Sequence, residues 1–300
     1  MIRTKLLDYA YLGEVFFSRL QGIAAGGDPS RNGEYQLIRT LRGVVRTAVD
    51  AGANKGDWTA RVLAETRGLA CVTCIEPDPL NVALLRKRFR DDGNVTIHEA
   101  ALGATSGACE FWSEGVEGSG SGYVLDKRGA AFLSADPTRM CGANSQITVQ
   151  QLSLDSLCRS GSFKEIDLVK CDIEGAEMSA LAGAEDLFRS SAIGTLQLEY
   201  NATWIRTGYR MADLFEFASK YNYTLLTVTP WGVTRYPAYG IGLEDFRMRN
   251  LLLTRPDHVM LLKPVGPAGR ARVEWGNTQS RSRPAEPSPQ KYFAASKQER

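Results

Sequence analysis

The chain has 300 residues, of which 43% are hydrophobic, enough for the packed core of one large α/β domain or two small ones. Its 36 basic and 34 acidic residues leave a formal net charge of +2, which gives no reason to expect nucleic acid or an acidic membrane as a partner. A small molecule is therefore the expected ligand, and no segment is expected to span a bilayer.

Residues 1–43 are expected to form a helical lead-in to the main domain. Residues 1–20 have the apolar pattern of an amphipathic helix, which is expected to pack on that domain. Asp8 and Glu14 interrupt the apolar stretch, which argues against a secretion signal. Residues 34–41 are predicted to be a short lead-in to the first strand.

A glycine-containing turn connects the first predicted strand to a helix. Its notable residues are Asp50, Gly52, Asn54 and Gly56. Glycines lack a Cβ atom and let backbone N–H groups approach a ligand, while Asp50 can accept a hydrogen bond from an amino or hydroxyl group. An ordinary strand-to-helix turn capped by Asn54 or Asp57 is the alternative.

The second predicted strand ends at Glu76 and Pro77. Glu76 follows Asp50 by about 26 residues, near the ~20-residue spacing at which doubly wound folds place an acid for ribose hydroxyls. Cys71 and Cys74 match the C-x-x-C spacing of redox and metal sites, but on a strand they would point to opposite faces. With six cysteines and no second pair, the pattern favours reduced thiols, a cytoplasmic setting and no metal site.

A third predicted strand reaches the turn Glu99-Ala100-Ala101, where small side chains would leave room for a flat purine. Strand-like runs at 107–112 and 147–152 flank residues 113–144, which are rich in glycine, serine and alanine. A long irregular stretch of this kind is typical of a functional loop or lid, and a disordered insertion is the alternative.

A later apolar strand ends in a dense charged cluster that contains Lys170 and Glu174. Because the carboxyl ends of parallel strands meet at one edge of a sheet, four acids are expected there: Asp50, Glu76, Asp172 and Glu199. Acids beside a glycine turn favour a cationic ligand, whereas a pyrophosphate prefers backbone amides without adjacent acids. The turn also lacks G-x-G-x-x-G, which argues against a nicotinamide cofactor and favours S-adenosylmethionine.

Strands that alternate with helices predict a mostly parallel sheet covered on both faces, within residues 44–263. No helix is predicted between the last two strands, so the final strand is expected to be antiparallel. Residues 264–300 are rich in proline, glycine, serine and arginine, and are expected to form a disordered tail.

Four motifs in order resemble the FkbM family of S-adenosylmethionine-dependent methyltransferases. They are D-A-G-A-N-K-G from Asp50, I-E-P-D-P from Ile75, N-V through A-A-L-G between Asn94 and Gly103, and K-C-D-I-E-G-A-E from Lys170. The resemblance covers residues 44–255 and implies a class I methyltransferase fold, with a seven-stranded, mostly parallel sheet and an antiparallel last strand. It also implies methyl transfer to a hydroxyl of a sugar, polyketide or lipid-linked glycan.

The resemblance further implies roles for single residues. The methionine portion of the cofactor would contact Asp50, Gly52, Asn54 and Gly56. The ribose would contact Glu76, next to Pro77, and the adenine would contact Glu99, Ala100 and Ala101. Asp172 would lie beside the methyl group, where, helped by Lys170 or Glu174, it is the expected base for the acceptor hydroxyl.

Three alternatives remain open beside this reading. Asp172, Glu199 and Asn201 offer oxygen ligands that would suit a divalent cation orienting the acceptor, although no metal is predicted. A non-catalytic nucleotide-binding or scaffold protein on the same fold is a second alternative. An NAD-type oxidoreductase is the third.

Overall fold

The computed structural model describes residues 2–24, 27–113, 123–124, 145–236 and 238–264. The loop or lid expected within 113–144 and the tail expected within 264–300 lie almost entirely outside the described residues. The domain boundaries predicted around them stay predictions.

The described residues form the following strands: β1 (Thr47–Ala51), β2 (Cys71–Glu76), β3 (Val95–Glu99), β4 (Ala101–Leu102), β5 (Gly107–Ser113), β6 (Tyr123–Val124), β7 (Ser145–Leu152), β8 (Ile166–Cys171), β9 (Ile193–Tyr200), β10 (Thr224–Thr229), β11 (Gly232–Arg235) and β12 (Arg249–Thr254). The helices are α1 (Ile2–Leu20), α2 (Glu34–Leu41), α3 (Asp57–Thr66), α4 (Pro79–Arg88), α5 (Leu154–Arg159), α6 (Glu177–Ala182), α7 (Glu185–Arg189), α8 (Trp204–Thr207), α9 (Met211–Lys220) and α10 (Pro256–Leu262).

The central sheet has the strand order β11-β10-β12-β9-β8-β1-β2-β3. Strands β9, β8, β1, β2 and β3 are parallel to one another, and β12 is antiparallel to both β9 and β10. The prediction of a class I methyltransferase sheet, mostly parallel with an antiparallel last strand, is confirmed. Strand β11 pairs with β10 as a hairpin and adds an eighth strand at the edge.

Both faces of the central sheet are covered, as a buried parallel sheet requires. Neighbouring residues of β1 point in opposite directions, so Ala48 and Val49 enter separate core clusters and neither is exposed. Helices α2, α3 and α10 contribute to the cluster around Ala48, and α5, α6, α7 and α9 contribute to the cluster around Val49. The sheet is therefore a rigid platform for residues at its carboxyl edge.

A second sheet, with the order β4-β7-β5-β6, was not expected. Sequence analysis predicted β5 and β7 as strands, but pairing between strands of distant sequence position leaves no local pattern. The short strand β4 follows directly on the turn after β3 and pairs in parallel with β7, Ala101 opposite Gln151. This pairing holds the second sheet against the carboxyl edge of the first.

The N-terminal segment differs from the expectation in one respect, the packing of its first helix. Residues 34–41, the expected lead-in to the first strand, form helix α2, in which Leu37, Ile38 and Leu41 repeat with helical spacing and are buried. The expectation that the first helix packs on the domain is wrong for most of its described side chains, of which Tyr9 is 70% exposed and Phe17 62%. Helices α2, α3 and α10 already cover the nearby sheet face. Among the described residues, no helix is long and apolar enough to cross a membrane.

Candidate active site

A cavity of about 480 Å³ lies at the carboxyl ends of β1, β2, β8 and β9. Strand β1 has neighbours on both sides that follow it along the chain, so this is the point where the strand order reverses and where open α/β sheets hold ligands. The predicted site residues that line it are Asp50, Gly52, Asn54, Glu76, Pro77, Ala101, Lys170, Asp172 and Glu174, and Glu199 lines it as well.

The glycines of the first turn serve different purposes. Gly52 has a φ of 74°, and a Cβ atom there would lie 1.9 Å from the backbone oxygen of Asp172, so the loop after β8 can pass directly over it. Gly56 does not line the cavity. A Cβ atom at Gly56 would lie 2.4 Å from the ring of Phe89, so this glycine allows α3 to pack against the end of α4.

Glu76 connects the glycine turn to the second strand. Its carboxylate accepts hydrogen bonds from the backbone N–H of Asn54 at 2.7 Å and of Asp78 at 3.0 Å. Asn54 adopts a φ of 49°, a left-handed conformation that asparagine tolerates better than most residues. Burial raises the pKa of Glu76, which is only 5% exposed, so the carboxylate depends on these donors.

The turn after β3 contributes less of the cavity wall than expected. The carboxylate of Glu99 lies 3.0 Å from Arg86 at the surface, and the backbone N–H of Ala100 donates to the Glu76 carbonyl. Neither residue lines the cavity, whereas Ala101 and Leu102 do. The second sheet adds Phe111 and Val124, so this wall is apolar. Contact of this turn with an adenine through Ala101 stays a prediction, whereas the Glu99 carboxylate is directed away from the cavity.

Asp50 is almost completely buried at the end of β1. Its Oδ2 accepts a hydrogen bond of 2.7 Å from Thr59 Oγ1, whereas its Oδ1 has no hydrogen-bond partner within the described part of the chain. Burial raises the pKa of Asp50, although Lys170 and Thr59 act in the opposite direction. A buried carboxylate oxygen without a partner is costly, and it fits a ligand that brings an N–H donor.

Lys170 is a buried cation among carboxylates. Its Nζ lies 2.9 Å from Asp172 Oδ2, and its side chain is 13% exposed. Burial alone would lower the pKa of Lys170, but Asp172, Asp50 and Glu34 outweigh burial and raise it. The lysine is therefore charged, and it compensates the acids that surround it.

Glu34 was not found by sequence analysis. It begins α2, is 6% exposed and lines the cavity, where burial raises its pKa. Glu34 does not belong to a recognisable sequence motif. Its position depends on how α2 packs against one face of the central sheet. The available signal was an acid directly after Gly33 at the start of an amphipathic helix.

Two more acids lie near this edge, Glu177 at the start of α6 and Glu199 near the end of β9. Glu177 accepts hydrogen bonds from the backbone N–H groups of Ile173 and Gly175, which shapes the loop that carries Asp172 and Glu174. Burial raises the pKa of Glu177 to about 8, against the effect of those hydrogen bonds. Burial also raises the pKa of Glu199 to about 8, and the carboxylates of Asp172, Glu174 and Glu177 act in the same direction.

Asn201, one of the three oxygen ligands considered for a divalent cation, is engaged within the protein. The described residues contain no group of three or more His, Cys, Asp or Glu side chains that could hold a metal ion. The amide of Asn201 donates to Glu199 Oε2, and its Oδ1 accepts from the backbone N–H and the hydroxyl of Thr203. Both ends of the Asn201 amide are therefore engaged with the protein.

The sequence pattern of the methyltransferase FkbM domain matches residues 50–225. The chain belongs to the FkbM family. The resemblance drawn from four motifs is thereby confirmed, and the matched range contains the glycine turn, Glu76, the Lys170–Asp172 pair and Glu199.

Individual proteins similar to this FkbM chain are distant. The 2-O-methyltransferase NoeI of Sinorhizobium fredii is 25% identical over 154 residues, which cover 50% of this chain and 62% of NoeI. The chain thus spans less than two thirds of that relative. Among solved structures, methyltransferase FkbM from Methylobacillus flagellatus KT has 17% identity and a TM-score of 0.42, covering 72% of this chain and 47% of its own. Precorrin-6y C5,15-methyltransferase from Geobacter metallireducens GS-15 has 10% identity and a TM-score of 0.37, and the match covers 74% of this chain and 87% of that structure.

Proposed function

We infer that this protein transfers a methyl group from S-adenosylmethionine to a hydroxyl oxygen of a sugar, polyketide or glycan acceptor. The observation that carries this inference is one cavity lined by acids from four neighbouring strand ends, Asp50, Glu76, Asp172 and Glu199. Such a cavity suits a ligand with a positive charge and several amino and hydroxyl donors. Family membership supports methyl transfer, and the name of NoeI, a 2-O-methyltransferase, supports oxygen as the accepting atom.

The residues present fit S-adenosylmethionine. The Oδ1 of Asp50, which has no hydrogen-bond partner among the described residues, suits the amino group of the cofactor. Gly52 has no Cβ atom, and a Cβ atom there would clash with the backbone of the loop after β8. In this proposal Asp50, Gly52 and Asn54 hold the methionine portion and Glu76, next to Pro77, holds the ribose. When bound, the cofactor supplies a methyl group activated by a positively charged sulfur.

The same acids count against a dinucleotide. A pyrophosphate at this turn would face the buried carboxylates of Asp50 and Glu76 at close range, and like charges repel strongly where water is excluded. The charge of the cavity therefore supports a methyl donor over the nicotinamide alternative.

The chain's own residues have three tasks in this reaction. The apolar wall of Leu102, Phe111 and Val124 limits the access of water. In this proposal Asp172, held by its hydrogen bond from Lys170, accepts a hydrogen bond from the acceptor hydroxyl and orients its oxygen. A carboxylate at the same edge must take the hydroxyl proton, because a neutral hydroxyl is a poor nucleophile.

The described cysteines are free thiols: Cys71, Cys74, Cys109, Cys158 and Cys171. This supports the further proposal that the protein works in a reducing, cytoplasmic setting.

A transfer assay tests the proposed function. The protein is incubated with S-adenosylmethionine carrying a deuterated methyl group and a panel of sugars, polyketide alcohols and glycans. We expect mass spectrometry to find the label on an acceptor oxygen, together with an equal amount of S-adenosylhomocysteine. Label found only on nitrogen or carbon would refute oxygen as the accepting atom, and absence of binding to the methyl donor would refute the proposed function.

A further inference from the structure

Asp172 directly follows β8, and Glu199 is the second-last residue of the neighbouring strand β9, at the same level of the sheet. In the parallel pair β8–β9, Cys171 lies opposite Leu198, and Asp172 and Glu199 are the residues that follow them. Both line the cavity. A ligand at this edge therefore meets two carboxylates side by side, and the two are held in different ways.

The carboxylate of Asp172 is already used by the protein. Lys170 donates to its Oδ2 at 2.9 Å, and Lys170 is in turn surrounded by Asp50 and Glu34. Asp172 is thus fixed in position by a charge that compensates it, which suits a residue that orients an acceptor.

Glu199 has no such compensation. Within the described ranges it makes no ion pair, and its Oε2 accepts a hydrogen bond from the neutral amide of Asn201. The charged groups that face it are Asp172 at the end of β8, Glu174 in the following loop and Glu177 of α6, all acids. Lys170, on the neighbouring strand, also lines the cavity but donates its hydrogen bond to Asp172, and the residue opposite Glu199 on β12 is the neutral Asn250.

We propose that Glu199 is the catalytic base of this enzyme, while the Lys170–Asp172 pair orients the acceptor. This proposal rests on the proposed function, since it assigns the proton transfer of that same reaction. It replaces Asp172 as the expected base, because sequence analysis could not show that Lys170 would engage the Asp172 carboxylate.

The reaction balances with Glu199 in this role. The acceptor oxygen loses its proton to a carboxylate oxygen of Glu199 as it forms a bond to the methyl carbon. The carbon–sulfur bond breaks, and its electron pair stays on sulfur. A methyl ether, a neutral thioether and a protonated Glu199 result, and the proton later passes to water.

Binding of the methyl donor prepares the base. Burial and the surrounding acids raise the pKa of Glu199 to about 8, which favours its neutral form at neutral pH before the donor binds. A cation entering the cavity favours the charged form of a nearby carboxylate. The donor is therefore expected to expel the proton from Glu199 and leave a base that forms no ion pair with any lysine or arginine of the described residues.

Calorimetry in buffers of different ionisation enthalpy measures this proton release directly. At pH 7 we expect the wild-type protein to release protons on binding S-adenosylmethionine and to release far fewer on binding S-adenosylhomocysteine, whose sulfur is neutral. The affinity of Glu199→Gln for the donor should stay within about threefold of wild type, and most of the proton release should be lost. Its kcat should be lower than that of wild type by about 10²–10⁴-fold. Glu216→Gln, an exposed acid of α9, is the matched control and should behave as wild type.

The outcomes separate the two proposals. Equal proton release with both ligands by the wild-type protein overturns the role of Glu199, and this readout does not depend on how any variant folds. Glu199→Gln with wild-type turnover overturns it as well, while methyl transfer itself stands. A wild-type protein that does not bind S-adenosylmethionine overturns the proposed function and, with it, the assignment of the base.

Discussion

The backbone N–H of Asn54 donates a hydrogen bond of 2.7 Å to Glu76 Oε2, which joins the turn after β1 to the end of β2. The other oxygen of the same carboxylate accepts from the backbone N–H of Asp78 at 3.0 Å, directly before α4. One buried side chain therefore fixes the left-handed turn, the start of a helix and part of the cavity wall.

Glu76→Gln is expected to weaken binding of S-adenosylmethionine at least tenfold and to destabilise the fold by about 1–3 kcal/mol. The physical reason is that an amide nitrogen would face a backbone N–H and leave it without an acceptor in a buried place. Calorimetry and denaturant unfolding measure the two effects.

Glu99→Gln is the matched control for this change. Glu99 lies opposite Glu76 in the β2–β3 pair, but its carboxylate pairs with Arg86 at the surface. We expect affinity for the donor to stay within about twofold of wild type, since an exposed ion pair contributes little. Equal losses for the two variants would contradict the assignment of Glu76 to the ribose.

Gly52→Ala is expected to abolish donor binding. An added Cβ atom would lie 1.9 Å from the Asp172 carbonyl oxygen, and a φ of 74° is strained for alanine, so the turn or the loop must move. Gly93→Ala, at a position where a Cβ atom meets nothing within 4 Å, should bind normally. Wild-type affinity in Gly52→Ala would show that the close approach of turn and loop is not required.

Lys170→Met is expected to destabilise the protein by about 2 kcal/mol or more, because it leaves several acids without their cation in a largely buried place. Lys220→Met removes an exposed lysine that pairs with Glu185, and it should leave the free energy of unfolding close to that of wild type. Denaturant unfolding compares them. Similar stability of both variants would mean that Lys170 does not compensate the acids of the cavity.

Stability is expected to depend on pH through Glu177. Burial raises its pKa from 4.5 to about 8 in the folded state, so the folded protein binds more protons than the unfolded chain between these values. This stabilisation is complete below pH 4.5 and is lost as the pH rises toward 8. Glu177→Gln, which can still accept the backbone hydrogen bonds, should flatten this part of the profile and unfold a few degrees higher than wild type at pH 8. If the unfolding temperature of Glu177→Gln fell with rising pH as steeply as that of wild type, the raised pKa of Glu177 would be contradicted.

The parts of the site that the sequence predicts share one property: they lie at the carboxyl ends of strands that the apolar pattern itself predicts. An apolar strand followed by glycine and acid specifies the positions of Asp50, Glu76 and Asp172, because parallel strands bring their carboxyl ends to one edge. The antiparallel β12 was likewise predictable, since the described residues between it and β10 contain no α-helix.

The parts that sequence analysis did not find depend on packing between distant segments. Glu34 enters the cavity only because α2 packs under the sheet, and Phe111 only because β5 pairs with β7 across a long connection. Glu99 was expected beside a ligand, but the geometry of the turn directs its carboxylate to Arg86. The division of roles between Asp172 and Glu199 also required the position of the Lys170 ammonium, which residue spacing does not give.

The claim on which the others depend is that the acids at this sheet edge bind a positively charged methyl donor. Calorimetric titration of the wild-type protein with S-adenosylmethionine and, separately, with NAD tests it most directly. We expect one molecule of S-adenosylmethionine to bind per chain and NAD to show no saturable binding. Tight binding of NAD with no binding of S-adenosylmethionine would contradict the account.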